Sequence, residues 1–177
     1  MALLGNGLLG IWHDVEVSDN ADLSDFHNWY RTEHFPERLR VPGFMRGRRY
    51  QSVDSNPRFS ALYETENLAT LASNVYREQL DNPTLCSQRN LARFRNTNRT
   101  AFNIEYSAGF GVGGALAVIS IVPMNSKRNL LKSWCTEDAL PNILHDTGII
   151  GAHLCISDPI ITKVDSVEAQ IRDAPDQ

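Results

Sequence analysis

Residues 29–43 read WYRTEHFPERLRVPG, and residues 134–148 read WCTEDALPNILHDTG. Trp29, Pro36, Leu39 and Gly43 return 105 positions later as Trp134, Pro141, Leu144 and Gly148, with no gap between them. The surroundings repeat as well: an apolar strand, a polar turn, a helix carrying Pro-x-x-Leu, a glycine and a second strand. An internal repeat decides architecture before any short motif does, because each copy must build the same local unit. Positions that both copies keep are explained by structure. Positions polar in the first repeat and apolar in the second raise the question of function.

Working outward, residues 8–17 are β-compatible, and SDNADLSD supplies turn and helix-capping chemistry. Leu23, Phe26, Tyr30 and His34 step at helical spacing, and Pro36 is expected to break the helix at Phe35. Strands follow over 44–53 and 59–64, a helix over 68–80, a basic connector over 89–99 and a strand over 100–106. The order βαββαβ is that of a split βαβ, ferredoxin-like α+β module. After a glycine-rich linker over 109–114 the second repeat restarts, with a strand expected over 115–122, a helical region over 127–144 and a strand over 149–157. The tail gives only a weak helix signal over 164–172, so the second module is expected to be incomplete. The division read from sequence is thus a first module over 1–108, the linker, and a second module over 115–177.

Composition narrows the function classes. The chain has 177 residues, 42% of them apolar, and a net charge of −4. That charge lacks the footprint of a nucleic-acid binder. The start, MALLGNGLLGIWHD, has no basic region ahead of its apolar residues, which argues against a signal peptide. No apolar run approaches the ~20 residues of a membrane span. Three scattered cysteines fit a reducing compartment rather than a disulfide framework, so a cytoplasmic protein is expected.

Alternation along strands assigns faces. In the first strand Ile11, His13 and Val15 face the helices, and Trp12, Asp14 and Glu16 face away. In the second strand Met45, Gly47, Arg49 and Gln51 are expected toward the helices, with Arg49 snorkelling at the edge. Phe44, Arg46, Arg48 and Tyr50 are expected on the opposite face. The first repeat therefore gathers Trp12, Asp14, Arg46, Arg48 and Tyr50 on one face, where the second repeat has Ala117, Ile119, Gly151, His153 and Cys155. Two explanations stand: a solvated sheet face with acid–arginine pairs, or a pocket wall.

The run FHNWYRTEHFPERLRVPGFMRGRRY (residues 26–50) resembles the signature of EthD-like proteins of the dimeric α/β-barrel superfamily, W-Y-x-x-E-H-x-P-E-R-L-x-x-P-G-F followed by R-R-Y. Tyr76, Asn82-Pro83-Thr84 and Arg89 fit the same pattern. The second repeat keeps the scaffold positions but has Asp138-Ala139 where Glu33-His34 stand. The resemblance implies two ferredoxin-like sheets that face each other around a pocket, supplied by two chains or by a tandem repeat. It also implies a homo-oligomer and a small-molecule ligand.

On that reading His34 is the candidate proton shuttle, favoured as imidazolium by the helix end and by its neighbour Glu33. Asp14 is its candidate orienter or an alternative base. Arg46 and Arg48 would hold a carboxylate or enolate, and Trp12, Tyr30 and Tyr50 would stack on a ring, with Glu33 beside them. Trp29 recurs as Trp134 and is assigned to the core, and Glu37 and Arg38 to a structural ion-pair network. The expected activity is cofactor-independent acid–base chemistry on an aromatic or polyketide-like intermediate. Alternatives are a non-catalytic binder, a cofactor-free monooxygenase and a haem-binding relative. Gly109-x-Gly111-x-x-Gly114 precedes a strand rather than a helix and so forms no phosphate cradle. His27, Glu33 and His34 have no cysteine or further histidine at zinc spacing, so no metal and no cofactor is assigned.

Overall fold

The computed structural model describes residues 3–54 and 56–172. Its elements run β1 (Gly7–Val15), α1 (Asn20–Trp29), a π-helical turn (Tyr30–His34), α2 (Phe35–Leu39), β2 (Phe44–Gln51) and β3 (Phe59–Thr65). A 3₁₀ turn (Leu68–Ala72), α3 (Asn74–Asp81), α4 (Leu85–Leu91) and the long β4 (Phe94–Gly109) follow. Then come α5 (Arg128–Trp134), a second π-helical turn (Cys135–Ala139), α6 (Leu140–Ile143), β5 (Gly151–Ser157), α7 (Pro159–Thr162) and α8 (Val167–Ile171). The protein is α+β, with five strands in the order β2-β3-β1-β4-β5. The first four strands stand in an order compatible with the ferredoxin-like fold, with β1 antiparallel to both β3 and β4. Among the described residues no helix is long and apolar enough to cross a membrane.

Two compact bodies are present. The larger joins Gly5–Asn103 to the tail from Ser157, and the smaller comprises Ile104–Ile156 with Leu3 and Leu4. This division differs from the one read off the repeat, because the tail packs with the first repeat. Ile161, Val164 and Ile171 lie against the core of the larger body. That core is one apolar layer between sheet and helices, made of Leu9, Ile11, Ala61, Tyr63, Phe94 and Ala101 from strands and Phe26, Trp29, Tyr30, Tyr76, Leu80 and Leu91 from helices.

Local backbone departs from expectation in four places. Pro36 does not break the helix. Phe35 keeps helical angles and donates its amide to Tyr30 O, five residues back. The widened turn inserts one residue, which accommodates a proline that has no N–H to give and a ring that needs space. Residues 68–80 split at Ser73, whose extended backbone and hydroxyl cap α3 at Tyr76 N. β4 begins at Phe94 and absorbs much of the basic connector. Residues 115–122 form no strand, although the sequence is strongly β-compatible. In the first repeat β1 is hydrogen-bonded on both sides, by β3 and β4. The positions 105 beyond β3, residues 164–170, instead hold α8, capped by Ser166 accepting from Ala169 N. A strand has little to stabilise it without a ladder neighbour.

Candidate functional site

A bulge in β2 sets the faces. Phe44 pairs with Thr65 and Arg46 with Glu64, so Met45 is the extra residue. Phe44 consequently turns into the core rather than onto the open face, and Met45 is exposed rather than toward the helices. Beyond the bulge the expected alternation holds. Arg46, Arg48 and Tyr50 stand opposite Glu64, Leu62 and Ser60, while Gly47 and Arg49 stand opposite Tyr63 and Ala61.

On the open face Glu64 binds two arginines. Arg46 donates Nε and Nη2 to its two oxygens at 2.8 and 2.7 Å, and Arg48 donates Nη2 at 2.7 Å. Glu64 is 1% exposed, while both guanidiniums keep partial exposure. The shared carboxylate holds both guanidiniums on one face of β2, that of Arg46 in bidentate geometry. On the same face of the sheet, Trp12 of β1 stands opposite Ser60, which stands opposite Tyr50. A Cβ on Gly10 would sit 2.4 Å from the indole, so glycine there lets the ring lie flat on the strand. The indole meets Phe102 edge-on at 6.1 Å. Trp12, Arg46, Arg48 and Tyr50 are thus brought to one half-buried face.

Other predicted site residues are dispersed. Asp14 spends its carboxylate locally, accepting from Arg58 N at 2.7 Å and from Asn96 Nδ2 at 2.9 Å. Its hydrogen bonds therefore do not orient His34. Glu33 accepts from Thr84 Oγ1 and, at 3.0 Å, from Ser87 Oγ, which in turn accepts from Trp29 Nε1 at 3.1 Å. That chain ties the π-helical turn to α4, so the glutamate clamps structure instead of facing a ligand. Arg38 pairs with Glu168 from the tail rather than with Glu37. Burial opposes its charge, but Glu168 outweighs burial and leaves its pKa above the ordinary arginine value.

Tyr30 and His34 lie on the helix side, in a buried polar group that also contains His13, Arg49 and Tyr63. The His34 ring stands 4.7 Å from Trp29 and 5.0 Å from Tyr30, with Nδ1 unbonded. An imidazolium was expected there from the helix dipole and Glu33. Neither acts as supposed, because the helical path continues into α2 and Glu33 is engaged elsewhere. Burial first, and then the positive charges of Arg38, Arg172 and Arg49, push the His34 pKa well below its usual value. His13 is lowered to about 4, chiefly by burial among Phe26, Tyr30, Phe59 and Phe94. Burial raises both Tyr30 and Tyr63, so their phenols stay protonated. The Arg49 guanidinium lies 3.7 Å from the centre of the Tyr30 ring. A cleft of about 260 Å³ opens here, lined by Tyr30, Arg31, Phe35, Gly47, Arg48 and Arg49.

Sequence reasoning missed Glu64, Tyr63, Arg49 as a buried group, and Glu168. Glu64 was recoverable: two arginines at i, i+2 on one strand face call for an acid on the neighbouring strand. Glu168 had no such signal, since nothing local marks the tail as the partner of Arg38. Comparison with protein-family models, curated protein sequences and solved structures returns no match.

Proposed function

We propose that this protein binds a small aromatic anion on the open face of its sheet, between Trp12, Arg46, Arg48 and Tyr50. The observation that carries this reading is the Arg46–Glu64–Arg48 group, which presents two partly exposed guanidiniums on one sheet face. An indole on the same sheet face as two guanidiniums suits a ring bearing a carboxylate or enolate. The EthD-like resemblance of residues 26–50 supports the same face as a pocket wall, within a tandem, dimeric α/β-barrel arrangement. The exposed apolar run of Leu116, Val118, Ile119, Ile121 and Val122 supports association with a second copy of the chain.

Acid–base catalysis is a second reading, favoured by one observation: His34 is held neutral with Nδ1 unbonded, the form a general base requires. Asp14 is not part of it.

The binding reading is tested with 1-naphthoate, followed by quenching of tryptophan fluorescence. Arg46→Gln leaves Arg48 and Glu64 to neutralise each other, and about a tenfold or greater loss of affinity is expected. Equal affinity for 1-naphthalenemethanol, or an unchanged affinity in Arg46→Gln, rejects the site.

A further inference from the structure

Arg49 has a different environment from its two neighbours in β2. Arg46 and Arg48 meet Glu64, but among the described residues Arg49 meets no carboxylate. Its surroundings are rings: Tyr30 at 3.7 Å, Phe59 at 5.5 Å and Phe26 at 5.7 Å from the guanidinium carbon. Nη1 approaches His27 Nδ1 at 3.4 Å. Nε and Nη2, the adjacent pair along one edge of the guanidinium, are buried without a hydrogen-bond partner. That edge is the one that matches the two oxygens of a carboxylate.

Tyr30 and Tyr63 add to the group. Both side chains are fully buried, and neither hydroxyl has a hydrogen-bond partner of ordinary geometry. His34 Nδ1 and His13 Nε2 are also unpartnered. Buried polar atoms are normally satisfied, and an unpaired buried cation is the costliest kind to leave alone. Arg38 and Arg172, both in contact with Glu168, add to the positive field here. The unmatched edge of Arg49 sits beside a cleft. Its volume of about 260 Å³ equals roughly eight or nine waters, with the ring of Phe35 and the β2 backbone at Gly47 as its apolar wall.

We propose that this cleft, on the helix side of β2, is a carboxylate-binding site in which Arg49 takes both oxygens and Tyr30 donates its hydroxyl. Binding turns the guanidinium off the Tyr30 ring, exchanging a cation–π contact for two charge-assisted hydrogen bonds. The ligand class is a small monocarboxylate with an apolar body. The site is distinct from the open face, which lies on the other side of the same strand.

Benzoate is the probe and benzamide its neutral match, titrated by calorimetry into the full chain. Benzoate is expected to bind and benzamide not. Arg49→Gln is expected to weaken benzoate by about ten- to a hundredfold. If Arg49→Gln does not fold, Tyr30→Phe decides: it keeps the ring, removes one unpartnered hydroxyl, and should weaken benzoate about fivefold or more. The ¹⁵N resonance of Arg49 Nε is expected to shift with benzoate. The proposal is overturned by equal binding of benzamide, by benzoate affinity unchanged in Arg49→Gln and Tyr30→Phe, or by no heat and no Nε shift up to about 10 mM benzoate.

Discussion

Residues 29–51 and 134–157 follow the same local backbone path, yet one is packed and the other is largely exposed. Each has a π-helical turn, Tyr30–His34 and Cys135–Ala139, placed 105 residues apart. Each has a proline just inside the next helix, then a glycine at positive φ, +92° at Gly43 and +95° at Gly148. Trp29 is 3% exposed, in keeping with its assignment to the core, whereas Trp134 is 52% exposed. What this teaches is that the repeated residues encode a path through turn and helix, while burial is supplied from elsewhere. In the first repeat β3, β4 and the tail provide it. Of the corresponding residues 164–170 of the second repeat, those from Val167 onward belong to α8, and Val164 and Ile171 pack on the core of the first.

The comparison breaks most directly on the tryptophans. Trp29→Ala is expected to cost about 3–5 kcal/mol in urea denaturation, as for a buried aromatic, and Trp134→Ala less than about 1 kcal/mol. Similar losses in the two variants would mean that Trp134 is covered after all.

Acid sharpens it next, because the buried histidines belong only to the first repeat; Val118 and Ala139 occupy the corresponding positions. His13 titrates near 4 when folded and near 6.5 when unfolded, so the unfolded chain takes the proton first. Its contribution is complete above pH 6.5, is lost as pH falls, and levels off below about 4. The loss amounts to roughly 3 kcal/mol, and His34 acts in the same direction. Unfolding free energies measured from pH 7.5 to 4 should show it, and His13→Phe should flatten the curve. A wild-type curve that is flat over this range would contradict the buried neutral imidazoles.

The smallest effect separates backbone strain from contact. A Cβ on Gly43 would lie 2.5 Å from Thr70 Oγ1, whereas one on Gly148 would meet nothing within 4 Å. Both alanine variants carry the left-handed strain of about 1–2 kcal/mol. Gly43→Ala should cost at least about 1 kcal/mol more than Gly148→Ala. Equal costs would show that Thr70 moves aside freely.

Much of this was legible in the chain. Alternation placed Arg46, Arg48 and Tyr50 on one face and Gly47 and Arg49 on the other. Phe44 and Met45 escaped because a bulge shifts the period by one, and nothing in the sequence marks it. His34 was read as charged from its neighbours in sequence. Its environment is instead set by residues distant in the chain, including Arg49 and Arg172.

Local chemistry alone determined the helices, the turn glycines and the recurrence at 105 residues, because caps, φ preferences and periodicity act over a few positions. Tertiary structure decided the rest: that residues 115–122 stay out of a sheet, that Arg46 and Arg48 share Glu64, and that half-buried Arg49 stands among aromatic rings. Those outcomes depend on which distant strand or tail arrives beside a residue, and side-chain pairing across a sheet has no short-range signature.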